Sequence, residues 1–293
     1  MFVKIEPRSE PSRTMRYMSP VVAAVLMLIS GLIIFTLLGK DPMEAFHAFF
    51  VEPINDLYGI GELFIKASPL MLIGTGLAIG FRASIWNIGA EGQLTIGALF
   101  GGYIAIIFND SNGFFILPLM ILAGAAGGIV WASIPAFLRT VFNANEILVT
   151  LMLNYVAILL LALFVHGPLR DPNGYGFPQS VLFGDSAVLP VLIEGTRLHL
   201  GVLLAFAGVI VGWVFLLKSF TGFQIQVAGL AQKAASYAGF EYKKLIWIGM
   251  LSGGVTAGIA GVLEIAGPIG QLLPSVSPGY GYAAIIVAFV GRL

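Results

Sequence analysis

The sequence predicts an all-α, polytopic integral membrane protein, and three observations predict it. Hydrophobic residues fill 58% of the 293 positions and charged residues only 10%, whereas a soluble domain is about 25% charged. Mean hydropathy is +0.95. Several apolar runs approach or exceed the ~20 residues with which a helix crosses the hydrocarbon core, and breaker-rich stretches such as "NDSNG" at 109–113 and "RDPNGYGFPQ" at 170–179 separate them.

About eight transmembrane helices are expected, at 21–38, 63–81, 92–108, 114–138, 147–165, 199–217, 245–266 and from 280 onward. The first follows a basic tail, residues 1–20, that resembles a signal peptide. Its apolar run is long, however, and no small-x-small cleavage site follows, so it reads as an uncleaved span with "LLGKDPMEAF" as its exit loop. The second and third spans are divided by "FRASIWNIGAEGQLTIG" (81–97), polar residues interleaved with glycines. The fourth follows "NDSNG", and the fifth starts at "NANEILVTLMLNY" (143–155). The sixth leads into an inner loop at about 218–244, where the Ala-rich stretch 228–238 favours a short helix and Gly239 suits its end. The eighth run, Tyr280–Val290, is too short to cross ~30 Å of hydrocarbon as a helix. It reads as a half-span inside the bundle or as the edge of a longer chain, with C-terminal truncation the favoured reading. Residues 21–293 are thus expected to form one transmembrane domain with broken or half-spanning segments.

Charge orients the spans, because Lys and Arg gather on the cytoplasmic side. With the N-terminus inside, the inner segments hold Lys4, Arg8, Arg13, Arg16, Arg82, Arg139, Lys218, Lys233, Lys243, Lys244 and Arg292. The outer segments hold Lys40, Lys66, Arg170 and Arg197.

Much chemistry is excluded. There is no cysteine, and His47, His166 and His199 lie too far apart in sequence to form a metal-ligand motif, so they read as loop or interfacial residues. A net charge of zero leaves no basic footprint for nucleic acid. No G-x-x-x-x-G-K-[ST], H-E-x-x-H or G-x-S-x-G occurs. "LSGGV" (251–255) resembles an ABC ATPase signature but lies within an apolar span with no phosphate-binding loop to accompany it. Small-xxx-small pairs recur at Gly76/Gly80, Gly97/Gly101, Gly124/Gly128, Gly208/Gly212, Gly249/Gly253 and Gly254/Gly258. They point to closely packed helices.

Polar residues inside the spans are the candidates for function. A mid-membrane carboxylate is costly and faces a bundle interior or a wet cavity. Glu91, Glu146 and Glu264 fall within or against spans. Glu91 reads either as part of a short cytoplasmic turn or as part of a broken helix lining a cavity. Glu146 reads either as a first-turn acid, with Asn143 and Asn145 as N-terminal residues, or as a pathway group. Asn154 lies too deep in its span for capping, and Glu264 sits near an outer end.

Together, "FRASIWNIGAEGQL" (81–94), "NANEILVTLMLNY" (143–155) and "GLAQKAASYAGF" (229–240) resemble the permease subunits of bacterial ABC importers for ribose, simple sugars and branched-chain amino acids. The similarity is strongest to the nucleoside permeases that work with basic-membrane-protein-type lipoproteins. It implies a non-enzymatic transport subunit of the bacterial inner membrane with no cofactor of its own, ATP and Mg being bound by two partner ATPase subunits. It further implies a second related permease (a heterodimer, or alternatively a homodimer), an extracytoplasmic substrate-binding lipoprotein, surrounding lipid, and no nucleic acid. By the same resemblance, 229–240 is similar to the helix that docks in the ATPase groove, with Gly229, Ala234, Ala235 and Gly239 at matching positions.

On this reading the chain moves a nucleoside or simple sugar inward, and Trp86, Asn87, Glu91, Gln93, Asn145, Glu146, Asn154 and Tyr155 are the translocation-pathway candidates. Two alternatives are an ion- or proton-coupled carrier titrating Glu91 or Glu146, against which no convincing internal repeat is seen, and a non-transporting scaffold subunit.

Overall fold

The computed structural model of the chain describes residues 12–291. The orientation charges Lys4, Arg8 and Arg292, and the side chains of Arg13 and Arg16, lie outside the described residues. The chain forms two compact units, residues 1–60 and 61–293. Among the described residues, seven helices are long and apolar enough to cross a membrane, and an eighth apolar helix is shorter.

In the first unit, α1 (Arg13–Leu37) starts at the Ser12 cap, inside the stretch read as a tail. The exit loop expected after it is instead a helix, α2 (Pro42–Phe50). Its start follows from local chemistry: the Asp41 carboxylate accepts from the amides of Met43 and Glu44, and Pro42 occupies the first turn, where its missing N–H costs nothing. Phe46 of α2 meets Phe35 of α1 edge to face, with 6.0 Å between centroids.

The second unit takes up α3 (Leu57–Arg82) from Gly61 and continues with α4 (Ala90–Ile107), α5 (Ile116–Phe142), α6 (Glu146–His166), α7 (Gly201–Lys218), α8 (Phe220–Leu230), α9 (Gln232–Tyr237), α10 (Tyr242–Glu264) and α11 (Tyr280–Val290). All eight expected spans correspond to helices. The second begins six residues earlier than expected, at Leu57, and the fourth runs four residues further, to Phe142. The expected inner helix is split in two at Ala231, and Gly239 ends it with φ +82°. Asn143, read as an N-terminal residue of α6, instead closes α5 in the left-handed conformation at φ 53°. Its short polar side chain tolerates that region and accepts from Arg139.

The core is built from α4, α5 and α10, which pack most extensively on one another. Glycine sets their separation. The backbones of Gly97 on α4 and Gly124 on α5 both press on Gly258 of α10, and Gly128 presses on Gly254. Elsewhere Gly80 of α3 lies against Gly249 of α10.

At its far end α10 passes into a π-helical turn, Ile265–Ile269. Pro268 there has no N–H for the α-helical ladder, and Gly270, at φ +75°, lets the chain turn away. The connecting segment after α6 pairs along this turn, with Leu189 donating to Ala266 at 2.7 Å and Phe183 to Gly270 at 2.9 Å. His199 is sealed beneath it, 3% exposed and against Gly267. It lies in the connecting segment before α7, as a loop residue, but one that is buried. Its Nδ1 accepts from the Gly201 amide at 3.2 Å, so its proton sits on Nε2, which has no partner among the described residues.

Burial first, and then the nearby Arg197 guanidinium, push the His199 pKa below its ordinary 6.5, only partly opposed by Glu62. The unfolded chain therefore binds this proton more readily, and stability contributed here is complete above about pH 6.5 and declines as pH falls toward the lowered folded value. Protonation also removes the Gly201 bond. Protection of the amides across 183–201, with the intrinsic pH dependence of exchange divided out, is expected to fall between pH 7.5 and 5.5, and His199→Asn is expected to abolish that fall. Equal dependence in the variant would refute the assignment.

Candidate functional site

The polar stretch after α3 is a break in the bundle. The chain leaves α3 at Arg82, passes Ser84 at φ 59°, and runs without helix to Ala90, where α4 starts. Asn87 and Gln93 lie against Gly253, halfway along α10, so α4 begins deep among the helices.

Side chains from inside the bundle hold the break. Asn87 and Gln93 form a reciprocal amide pair, at 3.0 and 3.2 Å, and Asn87 also accepts from the Gly89 amide at 2.9 Å. Thr150 and Asn154, one turn apart on α6, staple it from the other side. The Thr150 hydroxyl accepts from the Ile88 amide at 3.2 Å. Asn154 accepts from the Gly92 amide at 2.8 Å, donates to the Ile88 carbonyl at 2.9 Å, and reaches the Tyr282 hydroxyl at 3.4 Å. Backbone groups of Ile88, Gly89 and Gly92 that the missing helical turn would have paired are thereby satisfied.

Glu91 is 4% exposed and stands in the first turn of α4. Its Oε2 accepts from the amide of Gly281, in the first turn of α11, at 2.7 Å. Two helix N-termini thus converge on one carboxyl, a favourable place for negative charge. The α11 backbone approaches so closely that a side chain at Gly281 would collide with Glu91 itself.

Trp86, Asn87, Glu91, Gln93 and Asn154 are thus brought together at the break. The Trp86 ring packs at a tilt against Phe81, with 4.9 Å between centroids, and against Phe289 at 6.2 Å. Tyr155 is 58% exposed, whereas its neighbour Asn154 is fully buried. Asn145 and Glu146 sit apart, at the turn between α5 and α6. Asn145 caps α6, accepting from Ile147 and Leu148, and Glu146 pairs with Arg139 at 3.2 Å. Glu264 is 5% exposed, enclosed by protein at the C-terminal end of α10. It pairs with Lys66 at 3.7 Å and accepts from the Tyr280 hydroxyl at 3.4 Å.

Residues 59–293 match the family described as "Branched-chain amino acid transport system / permease component". The chain belongs to this permease family. It is 36% identical to the glucose ABC transporter permease protein TsgB13 of Haloferax volcanii, over 99% of this chain and 78% of that protein. It is 31% identical to the guanosine ABC transporter permease protein NupP of Bacillus subtilis, over 93% of this chain and 78% of that one. A putative glucose ABC transporter permease of the same archaeon, TsgC13, is 32% identical over 75% of this chain and 66% of its own length. No solved structure matches the chain.

The permease is accordingly a non-enzymatic, multi-pass transport subunit, and the ion-coupled carrier reading gives way to ATP-driven transport powered by a partner ATPase. Its break is tied to the inner helices. Gly229 of α8 packs on the Arg82 carbonyl with no room for a side chain, and Ser84 donates to the Gly229 carbonyl at 3.4 Å. Ala235 of α9 is buried in the same apolar cluster as Ala83 and Ile85. Ala234, Tyr237 and Gly239 are exposed.

Sequence reasoning missed Thr150, Ser277, Gly281 and Tyr282. Thr150 was findable, because it precedes Asn154 by one helical turn. Gly281 and Tyr282 had no local mark, since their partners lie more than 100 positions away, whereas Ser277 was findable as a local cap, its hydroxyl accepting from the amides of Gly279 and Tyr280 at 3.0 and 2.9 Å just before α11. Replacing Asn154 by leucine leaves the Gly92 amide and Ile88 carbonyl buried without partners, at about 1–3 kcal/mol each. A marked fall in the thermal midpoint of detergent-solubilised protein is expected. Tyr155→Ala, at an exposed site, is expected to move stability by about 0.5 kcal/mol or less.

Proposed function

We propose that the chain is the importing permease of an ABC transporter for a nucleoside or simple sugar. It would work with two ATPase subunits, an extracytoplasmic binding lipoprotein and a second related permease. The named glucose and guanosine permeases among its relatives support this substrate class, because both substrates carry a hydroxylated ring. The paired glucose permeases of Haloferax volcanii support a heterodimer. The excess of Lys and Arg in the inner segments supports a cytoplasmic N-terminus, and the relative from Bacillus subtilis supports a bacterial cell membrane; the transmembrane domain would take in α1, which starts at Arg13, ahead of the boundary at residue 21 expected from the sequence.

One observation carries the mechanism: the exposed face of α9 is joined, through Gly229, Ala235 and Ser84, to the start of the break. Movement of α8 and α9 by a docked ATPase would be transmitted directly to the segment that holds Trp86, Asn87, Glu91 and Gln93. Asn87, Gln93 and Asn154 would then shape the pathway wall, and Glu91 and Tyr155 would offer groups to the substrate. Asn145 and Glu146 would anchor the turn from which α6 supports that wall.

The test is reconstitution of the complete transporter in proteoliposomes. ATP-dependent uptake of guanosine or D-glucose, abolished without the ATPase and indifferent to an uncoupler, is expected. Uptake that persists without the ATPase, or no uptake of either compound, would refute the reading.

A further inference from the structure

Beside Glu91 lies a notch closed on most sides. Glu91, Thr95, Ser277, Ile158 and Leu161 line it, and Ser275 stands exposed at its mouth. Its volume is about 30 Å³. That is room for about one or two oxygen atoms, far too little for a sugar ring or a base. The lining is nevertheless strongly polar for the interior of a membrane bundle.

The hydrogen-bonding capacity of the lining is incompletely used. A carboxylate has about four acceptor positions. One of those of Glu91 is taken by the Gly281 amide at 2.7 Å, and the carboxyl borders the notch with accepting capacity to spare. Thr95 is 3% exposed and donates its only hydroxyl proton to the Glu91 carbonyl at 2.8 Å. Its oxygen can therefore act toward the notch only as an acceptor. Two buried acceptors thus border a space the size of one O–H group, and the group complementary to them is a hydroxyl that donates.

We infer that the notch takes a single hydroxyl of a polyhydroxylated ligand, with Glu91 and Thr95 as its acceptors and the ring outside at the mouth. This rests on the reading of the chain as a sugar or nucleoside permease and deepens it: the group recognised is one ring hydroxyl, common to hexoses and ribonucleosides, and the base goes unread. A trapped water has the same chemistry, and ligand analogues separate the two sources.

The experiment uses the complete transporter in proteoliposomes. It compares wild type with Thr95→Val, a swap of similar shape that leaves the contact between Glu91 and Gly281 in place. The probes are guanosine and D-glucose, with the 2′- and 3′-deoxy forms of the first and each monodeoxy form of the second. Thr95→Val is expected to lower uptake of the parent compound at low concentration by about 3- to 10-fold, one hydrogen bond's worth. Uptake of the one analogue that lacks the inserted hydroxyl is expected to be equal in both proteins. Equal loss on every analogue, or no loss on any, would overturn the inference and assign the notch to water. Wild type that carries neither parent compound would instead defeat the substrate reading beneath it.

Discussion

Replacing Gly258 by valine is expected to leave almost no correctly folded protein. Gly258 is the point where α4, α5 and α10 meet: the Gly124 carbonyl of α5 occupies the space that a Cβ would need, and Gly97 of α4 presses from the other side. Neither neighbour is a side chain that can rotate away. A methyl group here must separate two helix backbones, and overpacking a tight core already costs about 1–3 kcal/mol when side chains can adjust. Gly258→Ala should therefore be strongly destabilised, and Gly258→Val should emerge from size-exclusion chromatography as aggregate. A useful contrast is Gly195→Ala. That glycine has φ +80° but nothing within 4 Å, so only the left-handed backbone penalty of about 1–2 kcal/mol applies. A monodisperse, thermally normal Gly258→Val protein would show that the three-helix contact does not set the fold.

Gly239→Arg is expected to abolish ATP-driven uptake while leaving the membrane domain intact. Gly239 is exposed, sits at φ +82° and has nothing within 4 Å of an added Cβ. The substitution therefore costs the fold no more than the left-handed penalty. If α9 docks on the ATPase as proposed, a bulky charge beside its C-terminal end would cost about 2 kcal/mol or more, about 30-fold in the docked population. Gly239→Asn separates the two effects, because asparagine tolerates left-handed backbone. It should retain most uptake. The measurements are uptake in proteoliposomes and the elution profile in detergent. Gly239→Arg transporting like wild type would remove α9 from the coupling role.

Most of the architecture was legible in the sequence because lipid imposes a simple rule. Long apolar runs must be helices, since backbone polar groups have no other partner there. The expected spans accordingly match α1, α3 to α7, α10 and α11. The missed helix, α2, is short, and its Asp41–Pro42 start resembles turn chemistry in isolation. The break was legible as glycines and amides inside an apolar stretch. Its partners were not. Asn87 and Gln93 are six positions apart and pair locally, but Glu91 answers to Gly281, 190 positions away.

By itself, then, the sequence determined a helical membrane permease, the place where a helix is interrupted, and the glycines available for close packing. Composition and period carry that information because they report what each segment must do alone in lipid. Only the tertiary structure decided which glycines meet and that Glu264 has Lys66 and Tyr280 as partners. It likewise decided that Glu91 joins the first turns of α4 and α11 beside a hydroxyl-sized notch. These are contacts between segments remote in the chain. Their distances follow from how the helices pack, and no single segment encodes them.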